Sequence, residues 1–234
     1  YIHCHDAGRY LSPYGHSVPT PALAEFARHA LTARQAHCAA PTCSASRCAL
    51  LTGQTPHQAG MNGLAHRGFA LRDDSRHLGA YLAAHGFETI LAGVHHEWDF
   101  SGPAPRYTTL LDHGFPYDRE DPTSDLRIAQ KASAYLRERK DPRPFFLACG
   151  FYYPHRVHPR ADPRFQPDHL APPAGLPDAP VVRADLAAHL TASEWMDRAF
   201  AELWATLRAT GRDRDSLIFF TTDHGIPYPG AKCN

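Results

Sequence analysis

The chain lacks any apolar run long enough to cross a membrane. Its apolar runs, such as 145–148 and 217–220, never exceed five residues, against the roughly 20 that a bilayer helix needs. It lacks a dominant charge: 24 basic residues stand against 24 acidic ones. No basic block points to nucleic acid, and there is no acidic tail. Its six cysteines (Cys4, Cys38, Cys43, Cys48, Cys149, Cys233) do not form two CxxC pairs, so no zinc-ribbon pattern is present. At 234 residues the chain is too large to need a disulfide scaffold, and the expectation is a reduced, cytoplasmic compartment. There is no internal repeat or low-complexity tract. What remains is a composition of 43% hydrophobic and 21% charged residues, ordinary for a globular protein and enough for one large domain with a full core.

Strand-then-helix units recur along this chain. Strands are expected at 1–4, 31–39, 87–92, 144–150 and 216–221. Helices are expected from Thr20-Pro21 to about 30, over 77–85 before Gly86, over 125–140 after Ser124, and over 182–210 with a break near Ala192. In the last, Trp195, Phe200, Leu203 and Leu207 share roughly one face. The alternation predicts an α/β fold, a mostly parallel sheet sandwiched between helices, with ligand beyond the carboxyl ends of the strands. Residues 152–180 hold eight of the 21 prolines, which suits neither helix nor central strand. They are expected to form a stiff loop over the site.

Residues 43–53 read Cys-Ser-Ala-Ser-Arg-Cys-Ala-Leu-Leu-Thr-Gly. Good helix formers follow Cys43, so a helix starting there would aim its free N–H groups at that residue and at an anion bound beside it. Arg47 comes about one turn later and can return to the same face. Gly53 suits the left-handed position that closes a helix. By itself the segment also fits Cys43 and Cys48 as core cysteines.

This segment resembles the sulfatase motif, Cys-x-Pro/Ala-x-Arg followed by Thr-Gly. The stretch 51–64 looks nearest to heparan N-sulfatase-like and bacterial arylsulfatase-type members, with His57 stabilising the loop. The resemblance implies an alkaline phosphatase-like fold and a Cys43 oxidised to formylglycine, whose hydrate attacks a sulfate ester. It implies Ca²⁺, or Mg²⁺, held by residue 43, Asp6, Asp223, and His5 and His224. His5 stands where the family usually has an aspartate. Arg47 and Lys232 are implied to stabilise charge on the transferred group, with His224 able to bond the ester oxygen. His96 and His155 are implied to move protons. Val94 replaces a lysine of the family pattern, so His95 is the candidate for the missing substrate contact. Arg47 and Asp223 are expected to matter to rate far more than to fold.

The expected substrate is a small aryl or sugar sulfate, and the expected partner a formylglycine-generating enzyme or radical maturase, with no nucleic acid or membrane. Residues 1–234 read as an N-terminal catalytic domain cut at both ends, without the C-terminal part of the usual fold. Two alternatives stay open: a phosphodiesterase or phosphonate monoester hydrolase of the same superfamily, or an inactive binding homologue with an unmodified Cys43.

Overall fold

The computed structural model describes residues 1–99, 106–113 and 120–232. Cys233 therefore lies outside the described residues. Five strands form one sheet: β1 (Ile2–Cys4), β2 (Glu88–Gly93), β3 (Thr109–His113), β4 (Phe145–Gly150) and β5 (Phe220–Thr222), in the order β3-β2-β4-β1-β5. Every pair is parallel. All six residues of β2 are buried, as expected where helices cover both faces of a parallel sheet.

One face is packed by α5 (Ser124–Glu138) and α6 (Pro180–Ala209). Ile2, Ile90, Leu147 and Cys149 of the sheet meet Ile128, Leu136, Met196, Phe200 and Leu203 there. Each fully buried large apolar side chain contributes about 1.5–3 kcal/mol. Side chains alternate along strands, so Leu91 and Ala148 face the other way, toward Trp98 and Tyr107. That side also carries α2 (Cys43–Thr52), whose Arg47 reaches His3 and the Cys4 carbonyl of β1. The smaller helices are α1 (Pro21–Ala27), α3 (Pro56–Ala59) and α4 (Leu78–Ala84).

Several expected elements differ. No strand forms over 31–39; Leu31 is 97% exposed, leaving nothing for a strand to pack on. α6 runs unbroken through Ala192, because Ala192, Met196 and Ala199 continue one buried stripe. β5 begins only at Phe220. The N-cap of α5 is Thr123 in place of Ser124. The proline-rich segment approaches the site only near His155. Farther on it lies against α6, where the Asp162 N–H meets Thr191 Oγ1 and Arg164 meets Glu194.

Two features fix the sheet's carboxyl edge. Gly93 and Gly150 are paired across β2 and β4, and a Cβ on Gly150 would lie 1.8 Å from the Val94 carbonyl oxygen. Only glycine permits that approach. Just beyond, the buried Asp125 carboxylate accepts the N–H groups of Tyr152 (2.7 Å) and Tyr153 (2.9 Å) and so sets the path to His155.

Burial pushes the Asp125 carboxyl from 3.8 up to about 7, against the pull of those two N–H groups. A folded pKa above the unfolded one means that this group's stabilisation is full below pH ~4 and is lost as pH rises toward ~7. Asp125→Asn is expected to flatten that fall. Urea midpoints of both proteins across the window test it; parallel curves would show a carboxylate ionised throughout.

Candidate active site

The carboxyl edge gathers residues from four strand ends and one helix start. After β1, His5 and Asp6 are wholly buried. Asp6 sits at φ 49°, a left-handed conformation that aspartate tolerates better than most residues. Its N–H donates to Asp223 Oδ1 at 2.9 Å, and its carboxylate accepts from Lys232 Nζ at 2.7 and 3.0 Å.

Cys43 is the first residue of α2, and Gly53 closes that helix at φ 65°. The Cys43 Sγ lies 3.3 Å from His224 Nε2. Burial, and after it the charge of Asp223, pushes the thiol pKa far above its usual value. An unmodified Cys43 is therefore a protonated thiol and a poor nucleophile.

Arg47 reaches the site, but not as an open cationic arm. It is 1% exposed. Its Nη2 donates to the Cys4 carbonyl and to Asp223 Oδ2, both at 3.1 Å, and its Nη1 meets His3 Nδ1. Burial opposes its charge most strongly, but Asp223, together with Tyr1, Cys43 and Cys4, more than offsets that and holds its pKa above the usual arginine value. Burial likewise acts to raise the Asp223 pKa, and Arg47, then His5, hold it well below the carboxylate range. Asp223 also takes the His224 N–H on Oδ1 at 3.0 Å. The expectation that Arg47 and Asp223 barely affect stability is thereby corrected: each is the buried counter-charge of the other.

His96 follows β2 at φ 56°, with its ring edge-on to His5, 4.7 Å between centroids. His155 lies edge-on to His5 at 5.3 Å. Its Nδ1 faces the Arg156 carbonyl, and its Nε2 lies 3.4 Å from Lys232 Nζ. A carbonyl only accepts and an ammonium only donates, so Nδ1 carries the proton and Nε2 receives one. Burial is the first cause lowering the pKa of His5, His96 and His155, so all three are neutral at pH 7.

His95 belongs to a different arrangement. It stacks on Trp98 at 3.6 Å between centroids and accepts the Glu97 N–H. Glu97 in turn holds His77 Nε2 at 2.9 Å and the Tyr107 hydroxyl. Val94 is wholly buried in the core. Sequence reasoning missed His3, Asp125 and Ser46, whose hydroxyl donates to the Asp223 carbonyl. Strand alternation could have found His3, which shares a face with Tyr1 and His5.

The Sulfatase family model matches residues 4–232 of this chain. The chain belongs to the sulfatase family. It is 32% identical to the N-sulphoglucosamine sulphohydrolase of Homo sapiens over 98% of its own length and 50% of that protein's. It is 25% identical to the endo-4-O-sulfatase of Bacteroides thetaiotaomicron over 90% and 52%. The chain thus spans about half the length of the curated relatives it matches. A solved structure holding its substrate, D-glucosamine-2-N,6-O-disulfate, shares the fold at TM-score 0.76 and 14% identity, covering 96% of this chain and 65% of that one.

In this sulfatase-family site, two overlapping sets of side chains could hold a metal ion. They are Asp6, Cys43, Asp223 and His224, and His5, Asp6, Cys43 and His155; the ligand atoms within each lie within 4.8 Å of one another. Asp6 and Asp223 supply the hard oxygen that calcium takes, whereas the imidazoles offer nitrogen, which calcium does not favour.

Proposed function

We propose that residues 1–234 carry the hydrolytic centre of a sulfatase that cleaves sulfate esters or N-sulfates, with the hydrate of a formylglycine made from Cys43 as its nucleophile. The observation that carries this reading is the seat of Cys43: first residue of a helix, at the carboxyl edge of the sheet, with Asp6, Asp223, His155 and His224 around it. The helix N-terminus turns unbonded N–H groups toward an anion held there.

Arg47 and Lys232 are balanced by Asp223 and Asp6, so the side chains bring no net positive charge to the site, and a surplus there would be that of a bound divalent cation. The 32% identity to a sulphohydrolase acting, by its name, on N-sulphoglucosamine supports a sulfated sugar as natural substrate, with aryl sulfates serving as assay substrates.

One hydroxyl of the hydrate ionises, its proton going to solvent, and that oxygen attacks sulfur as the bond from sulfur to the leaving oxygen or nitrogen breaks. His155 is poised to pass a proton from Lys232 to the leaving group. Its Nε2 then takes the proton of the second hydroxyl as the carbon–oxygen bond to sulfate breaks and the aldehyde returns; water rehydrates it. Asp6, Asp223 and residue 43 would hold a divalent cation, whose charge would make the hydrate more acidic and polarise the sulfate. Calcium is the ion the resemblance implies.

Coexpression with a formylglycine-generating enzyme or a radical maturase is expected to lower the mass of the peptide bearing residue 43 by about 18 Da, the difference between a thiol and an aldehyde, and to make it reactive to a hydrazide. The matured protein should turn over an aryl sulfate faster than an aryl phosphate or phosphonate ester. Turnover by a protein that keeps a free Cys43 thiol contradicts the mechanism, and a preference for phosphonate points to the neighbouring hydrolase class.

A further inference from the structure

The proton on His155 Nδ1 is held by a single oxygen, the carbonyl of the next residue, Arg156. The same oxygen accepts the Tyr152 hydroxyl at 2.8 Å, which matches its two lone pairs. The direction of Nε2, the atom that faces Lys232, is therefore set by where the Arg156 peptide lies.

The Arg156 side chain is bound at all three of its nitrogens. Nη1 and Nη2 donate to Oδ1 and Oδ2 of Asp185, on α6, at 2.8 and 2.5 Å, and Nε donates to the Pro227 carbonyl at 2.9 Å. The guanidinium also covers the Tyr228 ring, 5.0 Å from its centroid. Pro227 and Tyr228 lie on the segment that runs from His224 to Lys232. One side chain thus joins α6, the loop bearing His155 and the loop bearing Lys232. Asp185 meets the His155 loop a second time, with its Oδ1 3.6 Å from His158 Nδ1. As a source of stability the pair is weak: its side chains are 42% and 28% exposed, and water screens such pairs until they contribute little to folding. A planar fork on a carboxylate still fixes orientation at two points. What this pair supplies is geometry.

We infer that Asp185 is a positioning residue for His155, acting through the side chain and the carbonyl of Arg156. The inference rests on the reading of His155 as the group that protonates the leaving atom in the proposed hydrolase. Asp185 itself stands outside the cluster around Cys43. Misplacing a catalytic group by about 1 Å can cost on the order of 100-fold, within the range that a general acid supplies. Protonation matters most where the leaving oxygen is a strong base. The loss should therefore depend on the ester: large for phenyl sulfate, small for 4-nitrophenyl sulfate, whose anion departs with little help.

The test compares kcat/KM for these two esters in wild type, Asp185→Ala, Arg156→Lys and the double variant, all matured to the same extent. Each single variant is expected to lose about 10- to 100-fold on phenyl sulfate and less than about 3-fold on 4-nitrophenyl sulfate. Arg156→Lys keeps the positive charge, so a matching loss there marks geometry. The double variant should be little worse than either single one, because both break the same link. Melting temperatures should stay within about 4 °C of wild type. A second readout needs no turnover. Histidine ring ¹⁵N spectra should show His155 as the Nδ1–H tautomer in wild type, assigned by its loss in His155→Gln, and as a mixture of tautomers in Asp185→Ala. Should Asp185→Ala unfold, Arg156→Lys carries both readouts. The inference is overturned if the two esters lose equally, which would make this a substrate-binding or folding pair, if neither loses, if the single losses multiply in the double variant, or if the tautomer does not change. A wild-type protein that cleaves neither ester loses the hydrolase reading, and the tautomer then decides the positioning. One that cleaves both, with losses blind to the leaving group, keeps the hydrolase reading and loses the inference.

Discussion

Arg47→Ala is expected to destabilise the protein by about 3–5 kcal/mol, the cost of stripping one partner from a buried ion pair. For a chain of this size that lowers the melting temperature by roughly 6–20 °C, at about 2–4 °C per kcal/mol. The reason is the position of Asp223. Its Oδ2 faces the Arg47 guanidinium at 3.1 Å, with both side chains out of water. Without Arg47 a buried carboxylate loses its main counter-charge. The Cys4 carbonyl and His3 also lose a donor. Asp223→Asn should cost less when Arg47 is already absent, so a double-mutant cycle should give a large coupling between them. Arg47→Lys keeps the charge but not the planar two-point contact, and should fall between wild type and Arg47→Ala. Thermal and urea unfolding of the four proteins of the cycle, and of Arg47→Lys, decide it. Additive losses would show that the two groups do not hold each other. Because Arg47 belongs to the motif expected to direct modification of Cys43, turnover is comparable only among preparations matured to the same extent.

Cys43→Ala is expected to lower aryl sulfate turnover by the matured enzyme on the order of 10⁴- to 10⁶-fold, the range seen when a covalent nucleophile is removed. Alanine suits a helix start and loses only a small, buried sulfur, so stability should change little. The contrast with Arg47→Ala is the informative one: one variant is folded and inactive, the other loses stability. The measurement is turnover under saturating substrate beside a melting curve. A Cys43→Ala protein with a tenth or more of normal activity would remove residue 43 from the chemistry.

The strands were legible where both faces are buried, because they carry apolar runs such as 90–92 and 145–149. The helix at Cys43 could be read from its start to its glycine stop. The false strand at 31–39 shows the limit: a local sequence signal cannot supply a partner, and among the described residues no strand pairs with this segment. The break expected near Ala192 does not occur, because the small residues there pack in a buried stripe of α6. In the site, the resemblance brought out Asp6, Cys43, His155 and Asp223 as neighbours. It could not bring out the inward-facing fork of Arg47, since burial depends on His3 and Cys4, far away in sequence. Nor could it reveal that His95 stacks on Trp98.

The hydrogen bond from the Asp6 N–H to Asp223 Oδ1 joins residues 217 positions apart. A ribosome adding about 5–20 residues per second makes the amide wait some 10–40 s for its partner. Through that interval β1 has no neighbour on its β5 side, and Cys43 has no His224 beside it. The thiol that is 4% exposed in the finished fold is then open to whatever modifies it. On the conversion of Cys43 proposed above, docking of β5 would set a deadline: a chain that folds before that step would enclose the residue its maturation must reach.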